Sequence, residues 1–296
     1  MSNRFGPLLG TVSGPADAPV TAVLLHGIGL GPWLYDPWAP AFAEAGVRTV
    51  ALDLHSGRDA GFSALIEDVS AALDSIGGPL ALVGHSMGGL LAQSLAARRA
   101  LSSLALVCPL PPGQIQVTPP KRALLGAPDI ARALVTGGPL RVGWRLYRNV
   151  GLEQMDEPTA RAVYARTRPW PQRLARDLAF ARPVVDVTAV HAPVLVALGR
   201  RDQLVPWETS RILGDLYEAV TWRYDDLAHM PMWEPGGERM GRDLARWVAN
   251  PSRPQVLESE GYGPSEGVGH TLRRERRGEE MKRRSAYGQK RSARDR

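Results

Sequence analysis

Short apolar runs return along this chain at intervals too long for hairpins. "VTAVLLHG" (20–27), "VRTVALDL" (47–54), "PLALVG" (79–84), "LSSLALVC" (101–108), "APVLVALG" (192–199) and "AVTWRY" (219–224) read as strands. Most lack polar–apolar alternation, so the sheet they form must be covered on both faces. "DPWAPAFAEAG" (36–46), "FSALIEDVSAALDSIG" (62–77), "GGLLAQSLAARR" (88–99), "PWETSRILGDL" (206–216) and "GGERMGRDLARWVAN" (236–250) fall between or after them and read as helices. Buried strands alternating with helices predict an α/β fold: a mostly parallel sheet with helices on both faces.

The rhythm breaks between residues 113 and 190, a stretch too long to be a loop inside a compact domain. "KRALLGAPDIARALV", "GPLRVGWRLYRNVG", "PTARAVYARTRP" and "WPQRLARDLAFARP" are helix-like pieces that prolines and glycines cut short. The expected organisation is a core of residues 1–112 and 191–250, a helical insertion at 113–190, and a basic tail at 251–296. The tail has few apolar residues and no periodicity, so it is expected to be disordered.

The net charge of +6 is unevenly placed: 12 Lys/Arg against 6 Asp/Glu in 113–190, 12 against 7 in 251–296, and 12 against 17 elsewhere. A basic arm can bind nucleic acid through phosphates. Here the seven interleaved acidic residues favour a solvated tail, and nucleic acid is not the expected partner. No apolar run reaches the roughly 18 residues of a membrane span. The opening "MSNRFGPLLGTVSGPADAP" has no apolar core of signal-peptide length, so the expected compartment is the cytoplasm. Cys108 is the single cysteine, which excludes an intramolecular disulfide and a thiolate cluster. No cofactor is implied, and no His/Asp/Glu grouping suggests a catalytic metal.

The chemistry-bearing stretch is "LALVGHSMGGLLAQ" (80–93). An apolar strand stops at Gly84, passes through His85, Ser86 and Met87, and gives way to a helix after Gly88 and Gly89. A strand turning that sharply into a helix holds the serine in a strained conformation with its hydroxyl exposed. Side chains at 84 and 88 would strike neighbouring backbone. The Met87 N–H lies at the start of the helix, where negative charge is favoured.

With "VLLHGIG" (23–29), "LGRRDQLVP" (198–206) and "LAHMPMWEPG" (227–236), this elbow resembles the α/β-hydrolase superfamily over roughly residues 8 to 250. The resemblance implies a capped serine hydrolase of carboxylesterase type, with the insertion as its cap. Ser86 would be the nucleophile, His229 the base that later protonates the leaving group, and Asp202 the carboxylate that orients the imidazole. The backbone N–H groups of Met87 and Ile28 would form the oxyanion hole. Asp225 and Asp226 are the alternative acids. His26 and His85 are expected to shape turns, while His55, His191 and His270 read as surface or loop residues. The sequence departs from the family at "DLHSGRDAG" (53–61), where a longer Gly-rich turn with Pro and Ser is common.

Trp33, Trp38, Met87, Met230, Met232 and Trp233 flank these motifs, and the insertion adds Trp144, Tyr147 and Trp170. Trp33, Met230 and Trp144 are candidates for an apolar substrate pocket, with core packing as the other use of such residues. Arg132, Arg141, Arg145, Arg148, Arg161, Arg166, Arg168, Arg173 and Arg176 are either solvated helix faces or a site for an anionic substrate. Such a substrate would be a carboxylate, a coenzyme A thioester or an acidic carrier protein. The expected partner is thus a small apolar or partly anionic ester or thioester. The same three side chains could also serve carbon–carbon bond hydrolysis, acyl transfer, lyase chemistry or a low-turnover binding protein.

Overall fold

The computed structural model describes residues 2–57, 61–116, 121 and 126–251; beyond Pro251 the expected tail, with His270, lies outside them. Eight strands form one sheet in the order β1-β2-β4-β3-β5-β6-β7-β8. They are β1 (Ser2–Phe5), β2 (Leu8–Ser13), β3 (Thr21–Leu25), β4 (Arg48–Asp53), β5 (Leu80–His85), β6 (Ser103–Val107), β7 (Val194–Gly199) and β8 (Val220–Tyr224). β1 and β2 pair antiparallel, as do β2 and β4, and the remaining neighbours are parallel. Every residue of β3, β5, β6 and β7 is buried, which is why their sequences show no alternation. The β1–β2 hairpin is an addition to the sequence-based reading. β1 is largely exposed at the sheet edge, so it carries no apolar run to mark it.

Nine helices are described: α1 (Ala39–Glu44), α2 (Phe62–Ile76), α3 (Met87–Ala96), α4 (Ala127–Thr136), α5 (Trp144–Val150), α6 (Glu157–Ala165), α7 (Gln172–Phe180), α8 (Trp207–Tyr217) and α9 (Gly237–Ala249). Trp38 and Trp247 are fully buried, and the Trp38 indole donates to the Gly237 carbonyl at 3.0 Å, tying the start of α1 to α9. Trp38 is therefore a core residue rather than a pocket wall. No helix among the described residues is long and apolar enough to cross a membrane.

Helices α4 to α7 all fall between β6 and β7. They are short because Pro and Gly interrupt them, and a bridge between Leu140 and Trp170 joins their connecting segments. The Asp177 carboxylate of α7 accepts from the Phe62 N–H at 2.8 Å, capping α2 from outside the core. The loops that leave β3, β4, β5, β7 and β8 emerge at the carboxyl ends of the sheet strands. In open α/β sheets this is where ligands bind.

Candidate active site

Ser86 occupies the turn between β5 and α3 at φ 55° and ψ −119°, a conformation that costs a non-glycine residue energy. The turn is held by the Ser86 N–H donating to Val107 O at 3.1 Å and by Ser86 O accepting from Gly89 and Leu110. A Cβ on Gly84 would overlap the Gly88 carbonyl, and one on Gly88 would overlap Leu25 O. The two glycines are thus required by backbone approach, and Ser86 is carried to the carboxyl end of β5 with 7% of its surface exposed.

His229 lies in the loop between β8 and α9, and the structure brings it to both expected partners. Its Nδ1–H donates to Asp202 Oδ2 at 2.8 Å, which leaves Nε2 to accept from the Ser86 hydroxyl at 3.1 Å. Asp202 is fixed by its other oxygen: Oδ1 accepts from the Leu204 and Val205 N–H groups at 2.7 and 2.8 Å. Burial alone would lower the His229 pKa; the charge and hydrogen bond of Asp202 offset this and hold it above the ordinary histidine range. Asp225 and Asp226, the alternative acids, are instead paired with Arg223 and Arg239.

A loop buried beside a reacting group must satisfy its own peptide groups. Glu234, 5% exposed, accepts from the Ala228 N–H at 2.5 Å and from the Met230 N–H at 2.8 Å, gripping the chain on both sides of His229. Burial pushes the Glu234 carboxyl up to about 7 although these two bonds pull it down. On the opposite side the His85 Nε2–H donates to the His229 carbonyl at 2.7 Å. His85 thus braces the His229 loop, and burial keeps its ring neutral. The role of Glu234 was not anticipated, because a glutamate in a loop sequence carries no mark of being buried.

The Ile28 loop follows β3. His26 Nε2 accepts from the Leu54 N–H at 3.1 Å, so its proton resides on Nδ1, which donates to Gly27 O at 2.9 Å. Burial lowers the His26 pKa to about 3, consistent with a neutral ring. His55, expected as a surface or loop residue, lies in the turn after β4; its ring packs on Trp170 at 3.9 Å and is stacked 5.9 Å from His26. Burial, then the nearby Arg168 charge, lowers its pKa to about 4. His191 is exposed.

Met87 and Met230 are buried beside Ser86 and His229 in sequence. Trp33 packs edge-on to Trp233 at 6.0 Å under the Arg166 guanidinium, 4.4 Å from its ring. Trp144 is engaged within the insertion, edge-on to Tyr164 and beneath Arg161. Met232 and Trp233, with Met155, Thr159 and Pro37, line a cleft of about 320 Å³. Of the insertion's arginines, Arg148 and Arg161 pair with Glu157, Arg166 with Asp36 and Arg168 with Asp53. Arg132, Arg141, Arg145, Arg173 and Arg176 are exposed and have no carboxylate partner among the described residues.

Cys108, Asp202 and His229 bring one ligand atom each within 4.8 Å of one another. Asp202 and His229 are already committed to each other, and burial pushes the Cys108 thiol up, away from the thiolate that metals prefer. The set suits the hydrogen-bonded chain better than a cation.

A profile of the Alpha/beta hydrolase family matches residues 22–240. A relative from Variovorax paradoxus, provisionally assigned as a carbamate hydrolase, is 32% identical over 237 residues, 74% of this chain and 87% of its own. A pimeloyl-[acyl-carrier protein] methyl ester esterase from Methylococcus capsulatus is 29% identical over 259 residues, 77% of this chain and 94% of its own. Among solved structures, a thermophilic esterase from Thermogutta terrifontis shares the fold with a TM-score of 0.65 at 17% identity, over 84% of this chain and 98% of that chain. The family match runs through the elbow, Asp202 and His229, and the chain is an enzyme of the alpha/beta hydrolase family.

Proposed function

We propose that this enzyme is a serine hydrolase that cleaves a carboxylic ester or thioester through a covalent acyl-enzyme on Ser86. The observation that carries the reading is the continuous hydrogen-bonded chain from Ser86 Oγ through His229 to Asp202. In the first half-reaction Ser86 Oγ attacks the acyl carbon while His229 Nε2 takes its proton. Asp202 remains ionised and stabilises the imidazolium. Negative charge gathers on the former carbonyl oxygen, where the Met87 and Ile28 N–H groups receive it. The intermediate collapses as His229 returns the proton to the departing alkoxide or thiolate. Water, deprotonated by the same imidazole, then releases the acid and restores Ser86.

The two named relatives act on a carbamate and on a methyl ester of a carrier-bound acyl chain, according to their names, and both support an acyl carbon bearing a heteroatom leaving group. Trp33 and Met230 would line the apolar part of the site and the helical insertion would cap it. The five exposed arginines without carboxylate partners among the described residues favour a substrate with an anionic portion, a carrier protein included.

A fluorophosphonate probe, which bonds covalently to an activated serine hydroxyl, tests the reading directly. Labelling of the wild type and none of Ser86→Ala, with matching loss of p-nitrophenyl ester hydrolysis, is the expected result. Folded wild type that neither labels nor turns over would refute it.

A further inference from the structure

We infer that two residues of the helical insertion, Tyr147 and Arg168, are positioning residues for the oxyanion loop: they hold it in the orientation that presents the Ile28 N–H. The inference rests on the reading of Ile28 as an oxyanion donor given above. It adds that the insertion completes this half of the site as well as covering it.

The loop from His26 to Gly31 runs without regular structure, so each of its buried carbonyls needs a donor from elsewhere. The Gly27 carbonyl is held by the core, through His26 Nδ1–H and the Leu30 N–H at 3.3 Å. The next two carbonyls are held by the insertion. Ile28 O accepts from the Tyr147 hydroxyl at 3.0 Å, and Gly29 O accepts from the Arg168 N–H at 2.9 Å. The peptide plane carrying the Ile28 N–H is therefore anchored by the core, and the two planes after it by the insertion. Between those two planes is Gly29 at φ 74°, where a residue without a side chain turns freely unless both neighbours are held. The approach leaves no room for a side chain, because a Cβ on Gly29 would overlap the Tyr147 hydroxyl.

Arg168 is itself locked in place. Its guanidinium makes two hydrogen bonds to the Asp53 carboxylate at the end of β4, one of them at 3.2 Å. Two residues further on, Trp170 packs against His55. Asp53 and His55 belong to "DLHSGRDAG", the stretch that departs from the family pattern. In this chain Asp53 and His55 seat the insertion's Arg168–Trp170 segment, and His55 stacks on His26 at the start of the oxyanion loop.

Tyr147→Phe removes the donor to Ile28 while keeping the ring, and Asp53→Asn removes the charge that anchors Arg168. With p-nitrophenyl butyrate as probe, Tyr147→Phe should lower kcat about 10-fold and Asp53→Asn several-fold, with KM little changed, because a misplaced oxyanion donor acts on the transition state alone. Affinity for a trifluoromethyl ketone, which adds Ser86 to form a tetrahedral oxyanion, should fall in parallel with kcat/KM. Arg168→Lys should recover most of the rate that Arg168→Ala loses. The inference is overturned if both variants keep wild-type kcat and ketone affinity. It is equally overturned if losses follow melting temperature and Arg168→Lys gives no rescue. Wild type that fails to label with fluorophosphonate would instead refute the serine-hydrolase reading, and the inference with it.

Discussion

The two sides of the proposed site are held by different means. On the nucleophile side the hydrogen bonds that fix the three side chains come from the core. Backbone approaches at Gly84 and Gly88 set the elbow, both Asp202 oxygens are engaged, and buried Glu234 and His85 grip the His229 chain. On the oxyanion side, part of the support comes from the insertion, through one phenol, one peptide N–H and an ion pair whose Arg168 and Asp53 side chains are 41% and 19% exposed. Burial would raise the Asp53 carboxyl, and the Arg168 hydrogen bonds and charge hold it below the usual carboxylate range instead. A pair this open to solvent contributes on the order of 1 kcal/mol or less. The difference teaches that one side is preorganised at all times, while the other can be loosened at small energetic cost. Substitutions should therefore act as on–off changes on the nucleophile side and as graded ones on the insertion side.

The sharpest way to break that contrast is Asp202→Asn. The amide would have to keep accepting from Leu204 and Val205 with its oxygen, so its NH₂ would face His229 Nδ1 and force the wrong tautomer. A loss of about 10⁴ in kcat, with the fold retained by circular dichroism, is expected. A loss of tenfold or less would mean that the nucleophile side is as adjustable as the insertion side. Gly88→Ala comes next. The added methyl meets Leu25 O, so strain of about 1–3 kcal/mol should lower the melting temperature. Arg161→Ala, which removes an exposed pair with Glu157, should cost under about 1 kcal/mol.

The same asymmetry governed what could be read from the sequence. The elbow is a local pattern, and β3, β5, β6 and β7 are apolar throughout because they are covered on both faces, so each announced itself. The order Ser86, Asp202, His229 was implied by the resemblance that the core motifs carry. By contrast, Arg168 meets Asp53 across 115 residues and Tyr147 meets Ile28 across 119, and no periodicity encodes such pairs. The packing of His55 on Trp170 is another long-range contact of this kind. The β1–β2 hairpin escaped notice because an edge strand that stays wet has no apolar signature.

The insertion side can be probed more gently with salt. The five exposed arginines should attract an anionic substrate over a distance comparable to the Debye length, roughly 10 Å at 0.1 M. For a carboxylate-bearing ester, kcat/KM should fall several-fold between about 0.05 and 0.5 M NaCl, and remain level for a neutral ester of equal length. Equal salt dependence for both would leave these arginines as solvated helix faces. Replacing Arg173 and Arg176 together should flatten the curve for the anionic ester without moving the neutral one.

The smallest expected effect concerns protons on the nucleophile side. In the proposed mechanism His229 must be neutral to accept the Ser86 proton, so kcat/KM should rise with pH through its pKa, which Asp202 holds above the ordinary histidine range against the effect of burial. Burial pushes the Glu234 carboxyl up to about 7, and its charge, with that of Glu153, adds to the hold of Asp202 in raising His229. Each proton bound at one group then opposes binding at the other, which broadens the acid limb of the profile. Glu234→Gln removes that charge, so the limb should move to lower pH and steepen. Its plateau should drop only several-fold, since the amide still accepts one of the two N–H bonds that Glu234 receives from Ala228 and Met230. A limb that stays in place, or moves to higher pH, would show that the carboxylate beneath the His229 loop has no electrostatic hold on the base. The grip of Glu234 on the loop would then be mechanical alone, of the same kind that Tyr147 and Arg168 exert on Ile28 and Gly29.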